Sequence, residues 1–167
     1  GYTAKTILDD GFSVCRRVAT VPEGDAPRDI SAAAGHTMTR FASVWEKERN
    51  NTDMIMALGD RYEMFAAVAA SVPFNIPVAH IHGGETTLGA IDNKYRHAIT
   101  QMSCLHFTAA KPYTERVRQM AGKDAKVYSV GALALDNIKA IKPHSIRDFK
   151  RIYGIDLSIP TVLVTFH

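Results

Sequence analysis

Acidic residues, histidines and arginines gather in three neighbouring blocks of this sequence, at residues 58–63, 80–85 and 90–97. Carboxylate and imidazole groups can transfer protons and arginine can bind anions, so these blocks could support acid–base chemistry on a charged ligand. The candidate site residues in them are Asp60, Arg61, Glu63, His82, Glu85, Asp92, Arg96 and His97. Their function depends on whether the fold brings the three blocks together.

The first two blocks each follow an apolar run of the kind that a buried strand shows. Residues 53–58 precede the first block and residues 76–81 precede the second, and helices are predicted after them, over 64–71 and from about Asp92. Ligands of open α/β sheets bind in the crevice beyond the carboxyl ends of the strands. The order of elements therefore predicts that two adjacent strand ends deliver the candidate residues to one region.

The remaining segments predict further elements of an α/β fold. Helices are predicted at 2–9, from Asp29 or Ser31 to about Lys47, and at 112–120, 136–141 and 145–153, and short strands at 105–108 and 127–130. Residues 12–18 alternate as a half-exposed strand would, and residues 160–166 have the composition of a fully buried strand. Methionine and aromatic positions such as Met54, Met56 and Phe65 are expected in the core.

Both ends of the sequence are unusual for such a fold. An α/β domain normally starts with a strand, so the opening helix indicates that an upstream strand is missing. The chain also ends within the predicted strand at 160–166, with no helix to cover it. We therefore expect the sequence to be part of a longer protein.

Composition favours a cytoplasmic globular protein. With 167 residues, 46% hydrophobic and 22% charged, the chain can bury an ordinary core, and length alone favours one domain. The net charge is only +3 and no basic run interleaves with aromatics, so no nucleic acid partner is expected. No membrane span and no signal-peptide pattern is found. Cys15 and Cys104 are predicted to be buried, reduced cysteines of a cytosolic protein.

Two histidines on the second predicted strand leave a metal site open as an alternative. His80 and His82 project to one side of that strand, and imidazole with carboxylate suits zinc, which would indicate a metal-dependent hydrolase. The neighbouring groups are Glu85, Asp92 and His97. Against this, no spacing defines a third ligand, and the residues around Asp60 go unexplained. We therefore expect no metal and no cofactor, and a structural role for His80.

The candidate residues lie within three longer motifs. These are Gly59-Asp60-Arg61-Tyr62-Glu63-Met64, His80-Ile81-His82-Gly83-Gly84-Glu85-Thr86, and Gly89-Ala90-Ile91-Asp92 with Arg96-His97-Ala98-Ile99-Thr100. They resemble the motifs of the hydrolysing UDP-N-acetylglucosamine 2-epimerases, the NeuC-type bacterial enzymes of sialic acid synthesis and their close relatives. The resemblance spans essentially the whole chain, including residues 130–133 and Phe166-His167, and several blocks in the right order and spacing make it specific.

The resemblance implies a glycosyltransferase-B-like architecture, in which two Rossmann-like domains bind a nucleotide sugar between them. Residues 1–143 would form the first domain, a three-layer α/β domain with a parallel sheet that lacks its first strand. Residues 144–167 would begin the second, nucleotide-binding domain. The family's first strand with its Gly-[Ser/Thr]-Arg loop, and most of the second domain, are not expected in this sequence. Family members commonly self-associate, so a homo-oligomer is implied as well.

The implied reaction converts UDP-N-acetylglucosamine, or a related UDP-2-acetamido sugar, to N-acetylmannosamine or its analogue plus UDP, in sialic or nonulosonic acid biosynthesis. UDP is eliminated across C1 and C2, and water then adds to the resulting 2-acetamidoglucal. By motif position, Asp60 and Asp92 match family carboxylates regarded as catalytic, and a third such carboxylate falls at His82. That acid–base role stays open between His82 and Glu85. The implied substrate-binding residues are Arg61, Glu63, Gly83, Gly84, Arg96, His97 and His167.

Plainer roles are also open for several of these residues. An aspartate after a glycine at a strand end, such as Asp60, often caps the next helix. Arg61 and Glu63 could pair with neighbours at the helix start, and Arg96 could neutralise Asp92 without touching substrate. The chain could also be a nucleotide-sugar-binding or dimerising fragment without activity of its own, its long helix contacting a partner subunit.

Overall fold

The computed structural model describes residues 2–20, 22 and 24–165. His167, which the family resemblance places among the substrate-binding residues, lies outside the described residues, as does Phe166. The chain divides into two compact units, residues 1–132 and residues 133–167. Within the described ranges, no helix combines the length and apolar character needed to cross a membrane.

Helices and strands alternate through most of the first unit. Its helices are α1 (Tyr2–Asp9), α2 (Pro27–Glu48), α3 (Tyr62–Ser71), α4 (Asp92–Met102) and α5 (Lys111–Ala121), with short 3-10 turns at Arg49–Asn51 and Val72–Phe74. Its strands are β1 (Ile55–Leu58), β2 (Val78–Ile81), β3 (Leu105–Thr108) and β4 (Lys126–Ser129). The helices and strands predicted between residues 29 and 130 all form, some of them with ends displaced by a few residues.

The four strands form one parallel sheet in the order β1-β2-β3-β4. Its register pairs Leu58 with Ile81 and Ile81 with Phe107, so the carboxyl ends of neighbouring strands lie side by side. α3, α4 and α5 connect successive strands and pack against the sheet. Parallel strands require such crossovers, which are usually helices. The predicted α/β class with a parallel sheet is confirmed.

A row of buried side chains crosses the sheet face that these helices cover. Ala57, His80, His106 and Val127 are partners in the four strands, and all four are buried. Phe65 of α3 packs against the adjoining apolar core, as predicted. The core of this unit thus lies between the sheet and α3, α4 and α5.

Alanines in α3 allow the long helix α2 to pack closely against it. Ala66 and Ala70 are buried, and the indole Nε1 of Trp45 in α2 donates a hydrogen bond to the Ala67 carbonyl at 2.9 Å. α2 begins at Pro27, earlier than predicted, because proline suits the first turn of a helix, where its missing N–H has no partner to lose.

Three sequence predictions for the first unit are wrong. Residues 12–18 are irregular, because the described sheet has no strand paired with them and a strand needs a partner for its backbone hydrogen bonds. Met54 and Met56 are exposed; Met56 alternates with a buried residue of β1 and therefore faces away from the helices. Cys15 and Cys104 are free thiols but exposed, one in the irregular segment and the other in the turn before β3.

The second unit contains the helices α6 (Ala134–Ala140) and α7 (Ile146–Tyr153). The hydroxyl of Ser145 accepts the Asp148 N–H at 3.1 Å and so caps the start of α7, while Gly154, with φ of +71°, ends it. Residues 160–165 are irregular and exposed, so the predicted buried strand is wrong for these residues. The described part of this unit holds no strand with which they could pair.

Candidate active site

Asp60 lies in the turn between β1 and α3, and its carboxylate is paired with α4. Arg61 is the N-cap of α3, and no side chain caps this helix. Asp60 therefore does not cap α3, which is the plainer role that the sequence leaves open for it. Oδ2 of Asp60 instead accepts a hydrogen bond from Nη2 of Arg96, forming an ion pair. The Arg96 side chain is 9% exposed and that of Asp60 is 23% exposed. Arg96 therefore neutralises Asp60 rather than Asp92.

A chain of hydrogen bonds extends from Arg96 to the loop after β2. Nη1 of Arg96 donates to Oδ1 of Asn93 at 3.0 Å. The Asn93 amide accepts the backbone N–H of Thr87 at 2.8 Å and donates to the Thr87 carbonyl at 2.5 Å. Asp92 is the first residue of α4, where the helix dipole favours a carboxylate. This chain fixes the start of α4, and with it Asp92, relative to Asp60.

His82 and Glu85 contact each other in the turn that follows β2. Nδ1 of His82 lies 2.6 Å from Oε1 of Glu85, and the two side chains are 26% and 28% exposed. His82 has φ of +64°, a left-handed backbone that residues other than glycine rarely adopt. Its backbone N–H donates to the Phe107 carbonyl at 2.9 Å. The two residues that the sequence leaves as alternatives therefore form a pair.

Two glycines allow the loop after β2 to lie tightly against neighbouring elements. A Cβ at Gly84, which has φ of +81°, would lie 2.6 Å from the backbone oxygen of Tyr113 in α5. A Cβ at Gly83 would lie 3.0 Å from Nδ1 of His80. Glycine is therefore required at Gly84 both by conformation and by space. Packing within the chain accounts for both glycines without a ligand.

Arg116 of α5 also secures this loop. Its Nη1 donates to the Gly84 carbonyl at 2.5 Å and to Oγ1 of Thr86 at 2.6 Å. In the sequence, Arg116 is one of several basic residues on a predicted helix, outside the three motifs, and no spacing distinguishes it. Sequence reasoning missed it because only the tertiary fold brings α5 to the loop.

His80 is enclosed in the core. Its Nδ1 lies 3.1 Å from Oγ1 of Thr100 and its Nε2 lies 3.3 Å from the Gly59 carbonyl oxygen. The pKa of His80 is lowered to about 4, mainly by burial, so the ring is neutral near pH 7. Both nitrogens have partners within the fold, in agreement with the structural role predicted for this residue.

His97 follows Arg96 on α4, and one of its ring nitrogens is buried without a hydrogen-bond partner in the described residues. Burial lowers the pKa of His97, and the positive charges of Arg116 and Arg96 lower it further. Nδ1 of His97 is buried and has no hydrogen-bond partner within the described residues. Buried polar atoms are normally paired, so this atom is available to a group from outside the described residues.

Arg61 and Glu63 pair with each other at the start of α3. Nη2 of Arg61 lies 3.2 Å from Oε1 of Glu63, and the Arg61 side chain is largely exposed. Both residues border a cavity of about 270 Å³, whose other lining residues are Leu58, Gly59, Asp60 and Met64. A larger cavity of about 560 Å³ lies between α2 and the segment before it and contains none of the candidate residues. The smaller cavity is the one that adjoins the candidate carboxylate.

The metal-site alternative finds no geometric support in the part of the chain that the structure describes. No group of three or more His, Cys, Asp or Glu side chains converges there. His80 is directed at Thr100 and the Gly59 carbonyl, whereas His82 is paired with Glu85. The two histidines that alternate on the predicted strand thus have separate environments.

Sequence comparisons identify one family. The family model described as UDP-N-acetylglucosamine 2-epimerase matches residues 2–167. The polysialic acid biosynthesis protein P7 of Escherichia coli is 42% identical over 168 residues. The UDP-N,N'-diacetylbacillosamine 2-epimerase (hydrolyzing) of Legionella pneumophila is 35% identical over 167 residues. Each match covers all of this chain, which spans 42% of the first relative and 44% of the second.

Solved structures share the fold. The UDP-GlcNAc 2-epimerase of Neisseria meningitidis, solved with UDP-GlcNAc bound, matches with a TM-score of 0.71 at 16% identity, over 91% of this chain and 39% of that chain. The UDP-GlcNAc 2-epimerase of Methanocaldococcus jannaschii matches with a TM-score of 0.70 at 18% identity, over 93% and 44%. The described α/β fold is therefore the fold of part of these enzymes.

Proposed function

The chain belongs to the UDP-N-acetylglucosamine 2-epimerase family, and we propose that it supplies the acid–base residues of a hydrolysing 2-epimerase. The proposed substrate is UDP-N-acetylglucosamine or a related UDP-2-acetamido sugar, and the products are N-acetylmannosamine, or its analogue, and UDP. The Legionella pneumophila relative, described as hydrolyzing, supports this form of the reaction.

The observation that carries the proposal is the arrangement of one ion pair and one hydrogen-bonded pair beyond adjacent strand ends. Asp60 follows β1 and is paired with Arg96, and His82 follows β2 and is paired with Glu85. β1 and β2 end side by side in a parallel register. Open α/β sheets bind their ligands at this edge. Carboxylates and an imidazole there suit a reaction that needs both a proton acceptor and a proton donor.

In the first step of the proposed reaction, a base removes the proton from C2 of the sugar. The electron pair of the C2–H bond forms the C1=C2 double bond, while the C1–O bond breaks and UDP leaves with its electrons. We assign the C2 proton transfers to Asp60, Asp92 and the His82–Glu85 pair. The departing diphosphate is anionic, and Arg61, exposed beside the smaller cavity, supplies a cation that can stabilise it.

In the second step, water adds to the 2-acetamidoglucal. The water oxygen bonds to C1 and loses a proton, while an acid returns a proton to C2 on the other face of the ring. The configuration at C2 is thereby inverted, and the free sugar leaves. The reaction as a whole needs acid–base groups on both faces of C2, and we assign these groups to Asp60, Asp92 and the His82–Glu85 pair.

The wider setting is also proposed from the family. We assign residues 1–143 to a first, Rossmann-like domain and residues 144–167 to the start of a nucleotide-binding domain, with His167 among the substrate-binding residues. The protein is proposed to be a cytoplasmic homo-oligomer in sialic or nonulosonic acid biosynthesis. The Escherichia coli relative, described as a polysialic acid biosynthesis protein, supports this pathway.

A UDP-release assay tests the proposal on the protein encoded by the complete gene. UDP-N-acetylglucosamine and UDP-N,N'-diacetylbacillosamine are offered separately, and NMR identifies the sugar product. We expect UDP with a 2-epimerised free sugar from at least one substrate. Asp60→Asn should lower kcat by about 100-fold or more, because general acid–base groups contribute on that order. Asp124→Asn, an exposed aspartate in the turn before β4, is the matched control; equal turnover in the two variants would refute the assignment of Asp60.

A further inference from the structure

The contact between His82 and Glu85 determines which ring nitrogen carries a proton. Nδ1 of His82 lies 2.6 Å from Oε1 of Glu85, well within hydrogen-bonding distance. An ionised carboxylate can only accept hydrogen bonds, so Nδ1 must be the donor. In the neutral ring, Nε2 then holds the free electron pair and is the basic atom.

Nε2 of His82 is open to a ligand. Within the described residues, the contact with Glu85 is the one hydrogen bond of the His82 side chain, and about a quarter of that side chain is exposed. His80, on the same strand, differs because both of its nitrogens face partners inside the fold. His82 therefore combines one anchored nitrogen with one that can reach a substrate.

The backbone around His82 is held in an unusual conformation by several contacts. Its φ of +64° is rare for a residue with a side chain, and such conformations persist where the surrounding structure fixes them. The N–H of His82 is bound to the Phe107 carbonyl. Two residues later, the loop is held by Arg116 and by the close approach of Gly84 to α5. The imidazole is thus positioned from its backbone as well as from its Nδ1.

Other charged groups on the neighbouring helices have different partners. Arg116 of α5 is bound to the Gly84 carbonyl and to Thr86, and Arg96 of α4 is paired with Asp60. Within the described residues, His97 of α4 forms no hydrogen bond or ion pair with His82. Within the described residues, Glu85 is therefore the acidic residue that is hydrogen-bonded to the His82 ring.

We infer that Glu85 positions His82 and that the two form one acid–base unit, with Nε2 of His82 as the atom that meets C2 of the sugar. The inference rests on the proposed function and decides between the two residues that the sequence left open. Nε2 takes the C2 proton as the C1–O bond to UDP breaks, or gives a proton to C2 as the water oxygen bonds to C1. In either case the ring is doubly protonated at one stage, with the exchanged proton on Nε2 and the other proton on Nδ1, facing the Glu85 carboxylate. His82 is the catalytic residue, and Glu85 is a positioning residue.

The kinetics of single and double variants test this inference in the protein encoded by the complete gene. His82→Gln should lower kcat by about 100-fold or more, as loss of a general acid–base group does. Glu85→Gln should lower kcat by at least about tenfold while KM for the UDP-sugar stays unchanged. In the double variant kcat should fall no further than in His82→Gln alone, because the effects of residues that act through one another are not additive. Glu115→Gln, an exposed glutamate next to Arg116 on α5, should keep the original kcat.

Two kinetic results would overturn the inference. One is a Glu85→Gln variant with unchanged kcat, and the other is a double variant whose loss equals the product of the two single losses. If the unmodified protein releases no UDP from any tested sugar, the proposed function fails instead, so the two failures are distinguishable. Circular dichroism of each variant establishes that it is folded.

Nitrogen-15 NMR of histidine-labelled, unmodified protein supplies a readout that needs no folded variant. The neutral His82 ring should carry its proton on Nδ1, facing Glu85. A neutral ring protonated on Nε2 would overturn the inference even if both single variants were inactive.

Discussion

Replacing Gly84 with alanine should destabilise the first unit and displace the His82–Glu85 pair. The added Cβ would lie 2.6 Å from the backbone oxygen of Tyr113 and 2.8 Å from Cγ2 of Val117. The Tyr113 oxygen belongs to α5 and cannot rotate out of the way. Gly84 also has φ of +81°, which alanine rarely adopts.

Two costs, one of backbone conformation and one of packing, give the expected loss in free energy of unfolding. A second glycine allows them to be measured separately. The left-handed backbone costs an alanine roughly 1–2 kcal/mol. Forcing an additional group into a packed site typically costs a further 1–3 kcal/mol, which brings the loss for Gly84→Ala to about 2–5 kcal/mol. Gly89 lies in the same loop with φ of +76°, and nothing lies within 4 Å of a Cβ built there. Gly89→Ala should therefore lower the free energy of unfolding only by the backbone cost, roughly 1–2 kcal/mol.

Native-state hydrogen exchange measures this difference directly. The amides of β2 and α5 report the free energy with which the first unit opens, independently of the rest of the protein. Exchange in Gly84→Ala should be about five- to 150-fold faster than in Gly89→Ala, which corresponds to the packing term of about 1–3 kcal/mol. Equal exchange in the two variants would show that α5 does not confine the loop, and the argument for a fixed His82 would lose this support.

Two further predictions concern groups inside the fold. Arg96→Met should lower the free energy of unfolding by roughly 3 kcal/mol, because it leaves the Asp60 carboxylate without its partner. The double variant Asp60→Asn/Arg96→Met should be less destabilised than Arg96→Met alone, because no unpaired carboxylate remains. Urea unfolding that finds the double variant less stable than Arg96→Met would contradict the ion pair. The pKa of His80 is about 4 in the folded protein against an ordinary value of 6.5, so the unfolded chain binds the proton more readily between these values. Stability should thus be fully present above about pH 6.5 and fall by roughly 3 kcal/mol as the pH drops toward 4. Burial lowers the pKa of His106 as well, which adds a loss of the same sign. His80→Gln should show a smaller fall in unfolding free energy over this range, and an unchanged pH dependence would contradict the role of His80.

The order of helices and strands could be predicted because its signals are local. α4 and β3 form over the predicted residues, Asp92–Met102 and Leu105–Thr108. Each is marked by its own hydrophobic spacing and by turn residues at its ends. The placement of Asp60 and His82 just beyond adjacent strand ends could be predicted as well, because parallel strands of known order end at one edge of the sheet.

Features that depend on distant partners could not be predicted. Residues 12–18 have a strand-like pattern but no strand beside them in the described sheet, and Met56 is exposed because it faces away from the helix-covered side. The partner of Arg96 is Asp60, 36 positions away in the sequence, rather than its near neighbour Asp92. Neither the left-handed backbone of His82 nor the position of Arg116 leaves a local signal, since both depend on the packing of the loop against α5.

Deuterium incorporation tests the central claim most directly. The protein encoded by the complete gene is incubated with its UDP-sugar in deuterated water, and NMR follows the release of UDP and the hydrogen at C2 of the product. Elimination followed by hydration predicts one deuterium at C2 of every 2-epimerised sugar molecule, formed together with UDP. UDP released with a sugar that keeps its original C2 hydrogen would mean simple hydrolysis at C1, and the acid–base roles given to Asp60, Asp92 and the His82–Glu85 pair would be contradicted.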